Sequence, residues 1–352
     1  GEPVGAVYGY TTMLWKLADD LNQADGPTHM AVVLDKSSQT FRNRIYDQYK
    51  AHRPDPPEDL KPQFPMIRDA TRAFSLPLIE EEDVEADDMI ASYAKAACAA
   101  GWHVTIVSSD KDLMQLVEPC VDMFDTMKNE RIRAEEVHEK FGVGPEKVGD
   151  VLALMGDSVD NVPGIRGIGP KTATKLIQEH GSLEAALAAA EGMKPSKLRD
   201  NLIEHAEMAR LSRVLVALKE DCALPVPLDD FKLGEIPPAP LVAFLEEHGF
   251  TSLLKRLDGG RGSPERKTQL NPAKPVTAEN PLSLGVYADA GVVHLQQQLH
   301  LGVAAQQLAG DALLLRRGAW LLLQLLPWRL QLQHAVQPAH AAFQLRFLQR
   351  CA

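Results

Sequence analysis

The chain has 352 residues, 24% of them charged and 45% hydrophobic, with a formal net charge of −11. This is an ordinary globular balance with room for two domains, or for one large domain and an appendage. The acidic excess argues against a uniformly basic nucleic-acid binder. It does not exclude a local basic surface, because binding depends on where the basic residues lie.

In chain order, Val4 to Leu21 reads as an amphipathic helix, and Met30 to Leu34 as a buried apolar strand running into Asp35. Phe41 to Arg53 interleaves Arg, Lys and Tyr and is followed by Pro54, Pro56 and Pro57. Pro62 to Phe74 is helical by pattern, Leu76 to Ile79 a strand, and Ala86 to Ala100 a helix ended by Gly101. His103 to Val107 is a strand, Lys111 to Val117 a helix, and Val121 to Phe124 a strand. Strands alternating with helices imply an α/β core with a mostly parallel sheet covered on both faces. Ligands of such sheets bind beyond the carboxyl ends of the strands, where Asp35 and Asp110 fall.

From Ala134 only helices are expected: Pro145 to Met155, Pro170 to His180, Ser182 to Ala190, Lys197 to His205, Ala206 to Leu218, Leu241 to His248 and Thr251 to Leu257. Asp258 to Pro281 reads as a linker. Between Leu282 and Ala352 there is no Lys and no Glu, so this Leu/Gln-rich tail is expected to be atypical, frameshifted or disordered. The expected division is 1–133, 134–257, a linker over 258–281 and the tail over 282–352. Leu313 to Leu330 is the most apolar stretch, and Arg316, Arg317, Gln324 and Pro327 make it a poor membrane span. The start lacks the charged and apolar regions of a signal peptide, and Gly1 in place of Met reads as a truncation. Cys98, Cys120, Cys222 and Cys351 lie far apart without CxxC spacing, and are expected to be unpaired thiols in a reducing cytoplasm.

Four acidic motifs carry the chemistry. They are Asp35, the trio Glu85, Asp87 and Asp88, the pair Asp110 and Asp112, and the pair Asp157 and Asp160. A helix cap needs one acid, whereas Val84-Glu85-Ala86-Asp87-Asp88 supplies three. Gathered carboxylates repel one another unless cations compensate them. An all-oxygen donor set suits Mg²⁺ or Mn²⁺, and two such ions together serve phosphodiester cleavage. The strongest single signal is Val162-Pro163-Gly164-Ile165-Arg166-Gly167-Ile168-Gly169-Pro170-Lys171-Thr172-Ala173. Its glycines allow close backbone approach, and a helix with Pro at its first turn follows, as in helix-hairpin-helix elements that grip a DNA backbone. Arg42, Tyr49, Lys50 and Arg53 lie in a basic and aromatic stretch suited either to a single strand or to a solvated amphipathic helix.

The ordered set Asp35, FRNRIYDQYKAHRP, VEADD, SSDKD and GDSVDNVPGIRGIGPKTA closely resembles the 5′–3′ exonuclease domain of bacterial DNA polymerase I, within the flap endonuclease family. The resemblance runs to about residue 257. It implies a PIN-like, resolvase-like nuclease core with a helical arch, then a helical subdomain with a helix-three-turn-helix motif. It further implies two-metal hydrolysis of 5′ flaps and of nicked or gapped DNA by a cytoplasmic bacterial monomer. All eight acids match the family's metal-site positions. Glu85, Asp87, Asp110 and Asp112 fall to the inner ion, Asp157 and Asp160 to the outer one, and Asp35 and Asp88 to support. Lys50 and Arg53 match the cations near the scissile phosphate, and Tyr49 is implied to stack on a flipped terminal base. The turn over Gly164, Gly167 and Gly169, with Lys171 and Thr172, is implied to bind K⁺ and downstream duplex.

Relative to the family, a first strand ending in a metal-binding Asp is missing, which leaves an expected unpaired strand edge. No polymerase domain is recognisable, so no polymerising activity is expected. The rival expectations are a catalytically impaired DNA-binding remnant of the domain and a metal-dependent hydrolase of small phosphate esters.

Overall fold

Two strands with alternating faces set the architecture. The computed structural model describes residues 3–21, 26–261, 311–316 and 318–324. In β1 (His29–Val33), Met30 and Val32 join one apolar core, while Ala31 and Val33 join a second core on the other face. In β3 (His103–Val107), Val104 and Ile106 enter that second core and Val107 enters the first. This is the period-two consequence of the pleat, and it makes the sheet the middle layer.

Helices α1 (Gly5–Leu21) and α3 (Gln63–Ala73) cover the first face. Helix α4 (Ala86–Ala99) covers the other face with Met89, Ile90, Tyr93 and Ala97. Strand β2 (Leu78–Ile79) pairs with β1 in parallel, and β4 (Val121–Asp125) pairs in parallel with β3. A short β5 (Glu130–Ile132), absent from the sequence-based expectation, pairs antiparallel with β4. Its three residues are too few to show a periodic signal. Helix α2 (Phe41–Ile45) is the only regular helix between β1 and α3, so most of the expected arch is turns.

The segment expected as a helix over Lys111 to Val117 is a 3₁₀ helix, Asp112–Leu116. Pro145–Lys147 is likewise 3₁₀ and leads into α6 (Val148–Met155). On α6 pack α7 (Pro170–His180), α8 (Leu183–Ala189) and α10 (Ala206–Val216), while α5 (Ala134–Phe141) packs on β5 and α9 (Lys197–Glu204) on α10. Helices α11 (Pro238–Glu247) and α12 (Thr251–Arg261) return to the first face through Leu241, Phe244, Leu245 and Leu253. Among the described residues no helix is long and apolar enough to cross a membrane.

Two expectations are corrected. The edge of β1 is not open, because β6 (Asp311–Arg316) and β7 (Gly318–Gln324) lie between β1 and β3. An unpaired row of N–H and C=O groups is a template for any strand-forming segment, and the Leu-rich tail supplies one. The rest of the tail lies outside the described residues. The cysteines are not all thiols either: Cys98 and Cys120 form a disulfide with Cα atoms 5.8 Å apart, while Cys222 is free. A separation of 22 residues gave no local signal, since the fold alone brings the end of α4 to the start of β4.

Across β3, β4 and β5, buried Asp122 accepts hydrogen bonds from Thr105 Oγ1 (2.7 Å) and Arg131 Nη1 (2.6 Å), and its Oδ2 lies 3.2 Å from His103 Nε2. Burial pushes the carboxyl up, but His103, Thr105 and Arg131 outweigh it and hold it below the ordinary 3.8. A depressed folded value adds stability that is present above about pH 3.8 and lost as pH falls through the lower folded value. Asp122→Asn is therefore expected to flatten the acid limb of a plot of urea midpoint against pH. An unchanged limb would show that the network contributes no pH-dependent stability.

Candidate active site

The acidic motifs come together where the parallel strands end. Asp35 follows β1, and its Oδ1 accepts the Ala86 N–H at 2.7 Å, at the entry to α4. Glu85 is the N-cap of α4, with Asp87 and Asp88 in the first turn. Asp110 follows β3, and its Oδ1 accepts the Asp112 N–H at 2.8 Å. Asp157 and Asp160 arrive from the helical subdomain on a turn just after α6. That turn is closed by Asp157 N–H to Val162 O (2.9 Å) and Val162 N–H to Asp157 O (2.7 Å).

The electrostatics show one cluster. Burial pushes Asp87 well up from its ordinary value, reinforced by Asp110, Glu85 and Asp35. Burial likewise drives Asp112 well up, reinforced by Asp110, Asp160 and Asp157. Asp35 and Asp110 are also raised, first by burial. Among the described residues, Asp87 Oδ1 and Asp112 Oδ1 are buried side-chain oxygens without a hydrogen-bond partner.

Cations face these acids from two sides. Lys50 Nζ lies 2.8 Å from Glu85 Oε2 and 3.8 Å from Asp160 Oδ2. Arg53 pairs with Asp160, and Lys111 with Asp157. Burial raises the Asp160 carboxyl, but Lys50 and Arg53 more than compensate and leave it below the ordinary value. Lys50 sits at φ 56°, a left-handed conformation unusual for a long side chain, and its N–H donates to Asp160 O at 2.9 Å. The contact thus ties the arch base to the helical subdomain.

Three expected site residues have other surroundings. Arg42, expected to contact DNA, is 1% exposed and faces inward. Its guanidinium makes a two-pronged pair with Asp88 (2.6 and 2.7 Å) and donates to Leu215 O (2.8 Å) and Ala217 O (2.7 Å). Asp88 also accepts the Lys219 N–H at 2.8 Å and the Glu85 N–H at 3.0 Å, so both its oxygens are taken up by the scaffold. Tyr49 is buried, with its hydroxyl 3.2 Å from Glu85 Oε2, and offers no open ring face for stacking. Alternation of basic and aromatic residues cannot tell an inward Arg or Tyr from an outward one.

The Gly-rich turn divides in the same way. Gly167, Gly169 and Lys171 are exposed and Thr172 half-buried, and nothing lies within 4 Å of where a Gly169 Cβ would stand. Gly164 is buried instead: a Cβ there would stand 2.4 Å from Gly156 N, and its φ is +60°. Its N–H donates to Ser212 Oγ at 2.9 Å, a partner that no sequence motif signalled. Gly164→Ala is expected to cost about 2–4 kcal/mol through overlap with backbone and a left-handed φ. A urea midpoint within error of wild type would disprove the close approach.

The donor set suits hard divalent cations. Asp35, Asp87, Asp110 and Asp112 are raised, first by burial and then by acidic neighbours, and Asp87 and Asp112 hold orphaned oxygens. Lys50, Arg53 and Lys111 supply balancing charge, and among the described residues no three of these acids have oxygens all within 4.8 Å of one another.

The 5′–3′ exonuclease N-terminal resolvase-like domain profile matches residues 1–142, and the 5′–3′ exonuclease C-terminal SAM fold profile matches residues 143–239. A DNA polymerase I of Rhizobium leguminosarum is 53% identical over 260 residues, covering 73% of this chain and 26% of the relative. The chain thus spans about a quarter of that relative's length. A 5′–3′ exonuclease of Aquifex aeolicus is 39% identical over 261 residues, covering 73% of this chain and 86% of the relative. Among solved structures, a bacteriophage T5 5′-exonuclease with bound divalent zinc ions superposes with a TM-score of 0.54 at 24% identity, covering 70% of this chain and 90% of that one, which shows the fold. A T5 flap endonuclease in a pseudo-enzyme–product complex with DNA and metal ions gives a TM-score of 0.52 at 25% identity, covering 62% and 82%. With the two profiles in sequence and a relative matched over most of its length, the chain belongs to the 5′–3′ exonuclease family.

Proposed function

We propose that this chain is a structure-selective 5′ nuclease, hydrolysing phosphodiesters of DNA with 5′ flaps, nicks or gaps in a bacterial cytoplasm. The observation that carries it is the convergence of Asp35, Glu85, Asp87, Asp110 and Asp112 of the α/β core with Asp157 and Asp160 of the helical subdomain, beside Lys50 and Arg53. The likeness to a DNA polymerase I and to a 5′–3′ exonuclease supports it, as does that to the T5 complex with DNA and metal ions.

Glu85, Asp87, Asp110 and Asp112 would hold an inner Mg²⁺ or Mn²⁺, Asp157 and Asp160 an outer one, with Asp35 in support. When bound, such a pair supplies activation of the attacking water and stabilisation of the leaving oxygen. Lys50 is nearly enclosed. Burial opposes its charge, but Glu85, Tyr49 and Asp160 raise it well above its ordinary value. It therefore stays protonated at neutral pH and acts as a fixed positive charge toward phosphate rather than as a general base. Arg53 does the same from Asp160, and its Nε is a buried donor without a partner among the described residues.

Asp88 acts by anchoring Arg42 rather than by ligation. Exposed Gly167, Gly169 and Lys171, with half-buried Thr172, grip the downstream duplex backbone, with K⁺ held at the same turn. The protein works as a monomer.

The test is cleavage of a 5′-labelled flap duplex with Mg²⁺ or Mn²⁺. Divalent-dependent release of the flap is expected, and Asp110→Ala is expected to abolish it while sparing duplex binding in EDTA. Salt-sensitive binding without cleavage under any divalent ion would identify a DNA-binding remnant instead.

A further inference from the structure

Cys98 lies in the last turn of α4, and Cys120 immediately precedes β4. The two Sγ atoms and a carboxylate oxygen of Glu118 all lie within 4.8 Å of one another. This trio is about 20 Å along the α4 axis from Glu85, by the helical rise. It is therefore separate from the acidic cluster.

The backbone that presents the trio is held by bonds other than the disulfide. Glu118 and Val121 exchange N–H···O bonds of 3.0 and 2.8 Å, which turn Glu118 back beside Cys120. Val104 N–H donates to Cys120 O at 2.7 Å, and Gly101 N–H to Cys98 O at 2.9 Å. Opening the S–S bond leaves these ties in place, so two thiols and a carboxylate stay side by side. The site is also reachable, because Glu118 is exposed and both cysteines are half-buried. Cys98, His103 and Glu118 line a surface groove of about 800 Å³.

We propose that, after reduction, Cys98, Cys120 and Glu118 bind one borderline-soft divalent ion of the Zn²⁺ class, with water as the fourth ligand. Two thiolates and one carboxylate select such an ion over Mg²⁺, just as the all-oxygen cluster at the other end of α4 selects the reverse. Reduction takes two electrons and two protons from a dithiol. One of its thiolates attacks a protein sulfur to form a mixed disulfide, its second thiol displaces that sulfur, and the reductant leaves as its own disulfide. Ion binding then releases the two thiol protons. The end of α4 is thereby tied to the start of β4 by a covalent bond when oxidised and by an ion when reduced.

The experiment uses the full chain, reduced with a phosphine and titrated with Co²⁺ in excess Mg²⁺, which occupies oxygen-only sites. A thiolate-to-Co²⁺ charge-transfer band should saturate at one equivalent, vanish on addition of Zn²⁺, and be absent from the oxidised chain. C98S and C120S should each abolish it. E118Q, at an exposed position, should leave the circular dichroism spectrum unchanged and weaken Co²⁺ binding by about tenfold or more. No band in the reduced chain overturns the proposal. So does a band that survives in the C98S/C120S double variant, or an E118Q affinity equal to wild type.

Discussion

Arg42→Met is expected to lower the unfolding free energy by about 3–5 kcal/mol, the usual cost of breaking a buried ion pair by removing one partner. The substitution would leave Asp88, at 0% exposure, without its cation. It would also strip donors from Leu215 O and Ala217 O, which join α2 to the end of α10. Arg42→Lys should recover only part of the loss, because an ammonium cannot reproduce the planar fork that serves Asp88 and two carbonyls together. The double change Arg42→Met with Asp88→Leu should be much milder than the sum of the singles, since no buried charge is left unpaired. Urea midpoints at constant m-value measure all three. A loss below about 1 kcal/mol for Arg42→Met would mean the guanidinium is solvated rather than built in. Because α2 leads into the Lys50 turn, cleavage by Arg42→Met should fall even where the protein remains folded.

Asp87→Asn and Asp112→Asn are expected to act in the opposite sense on stability. Each carboxyl is raised well above its ordinary value, first by burial and then by its acidic neighbours, and each has a buried oxygen with no partner among the described residues. Removing one negative charge relieves that repulsion, so either variant should be about 1 kcal/mol more stable than wild type in EDTA. With saturating Mg²⁺ the order should reverse, because wild type gains binding free energy that the variants forfeit. Flap cleavage should fall by about a hundredfold or more. Thermal midpoints with and without Mg²⁺, read beside single-turnover cleavage, test both halves. A variant less stable than wild type in EDTA would show that these acids are structural caps rather than a strained donor set.

The central sheet was legible because apolar runs at strand spacing are long enough to signal themselves, as at Met30 to Leu34 and His103 to Val107. Three of the acidic motifs stood out because caps need one acid and these segments carry two or three, whereas Asp35 is a single acid marked by the strand that ends at it. The disulfide was not, since Cys98 and Cys120 meet only once α4 has packed on β3 and β4. Nor was the covering of the β1 edge, where strands far along the chain fill the gap toward β3.

By itself, the sequence determined which residue types are available: the seven acids and three cations of the cluster, the glycines of the turn, and the order of strands and helices that sends the acids to one end of a sheet. Those are properties of local pattern, and local pattern is written in spacing. Only the tertiary structure decided direction. Arg42 and Arg53 stand eleven positions apart in the same basic stretch, yet one is spent inside the scaffold on Asp88 and the other faces Asp160 at the site. Gly164 and Gly169 belong to one motif, yet one allows two backbones to touch and the other lies open. The reason is physical: whether a side chain is buried depends on what packs against it from elsewhere in the chain, and burial decides whether a charge holds the fold together or remains free to act.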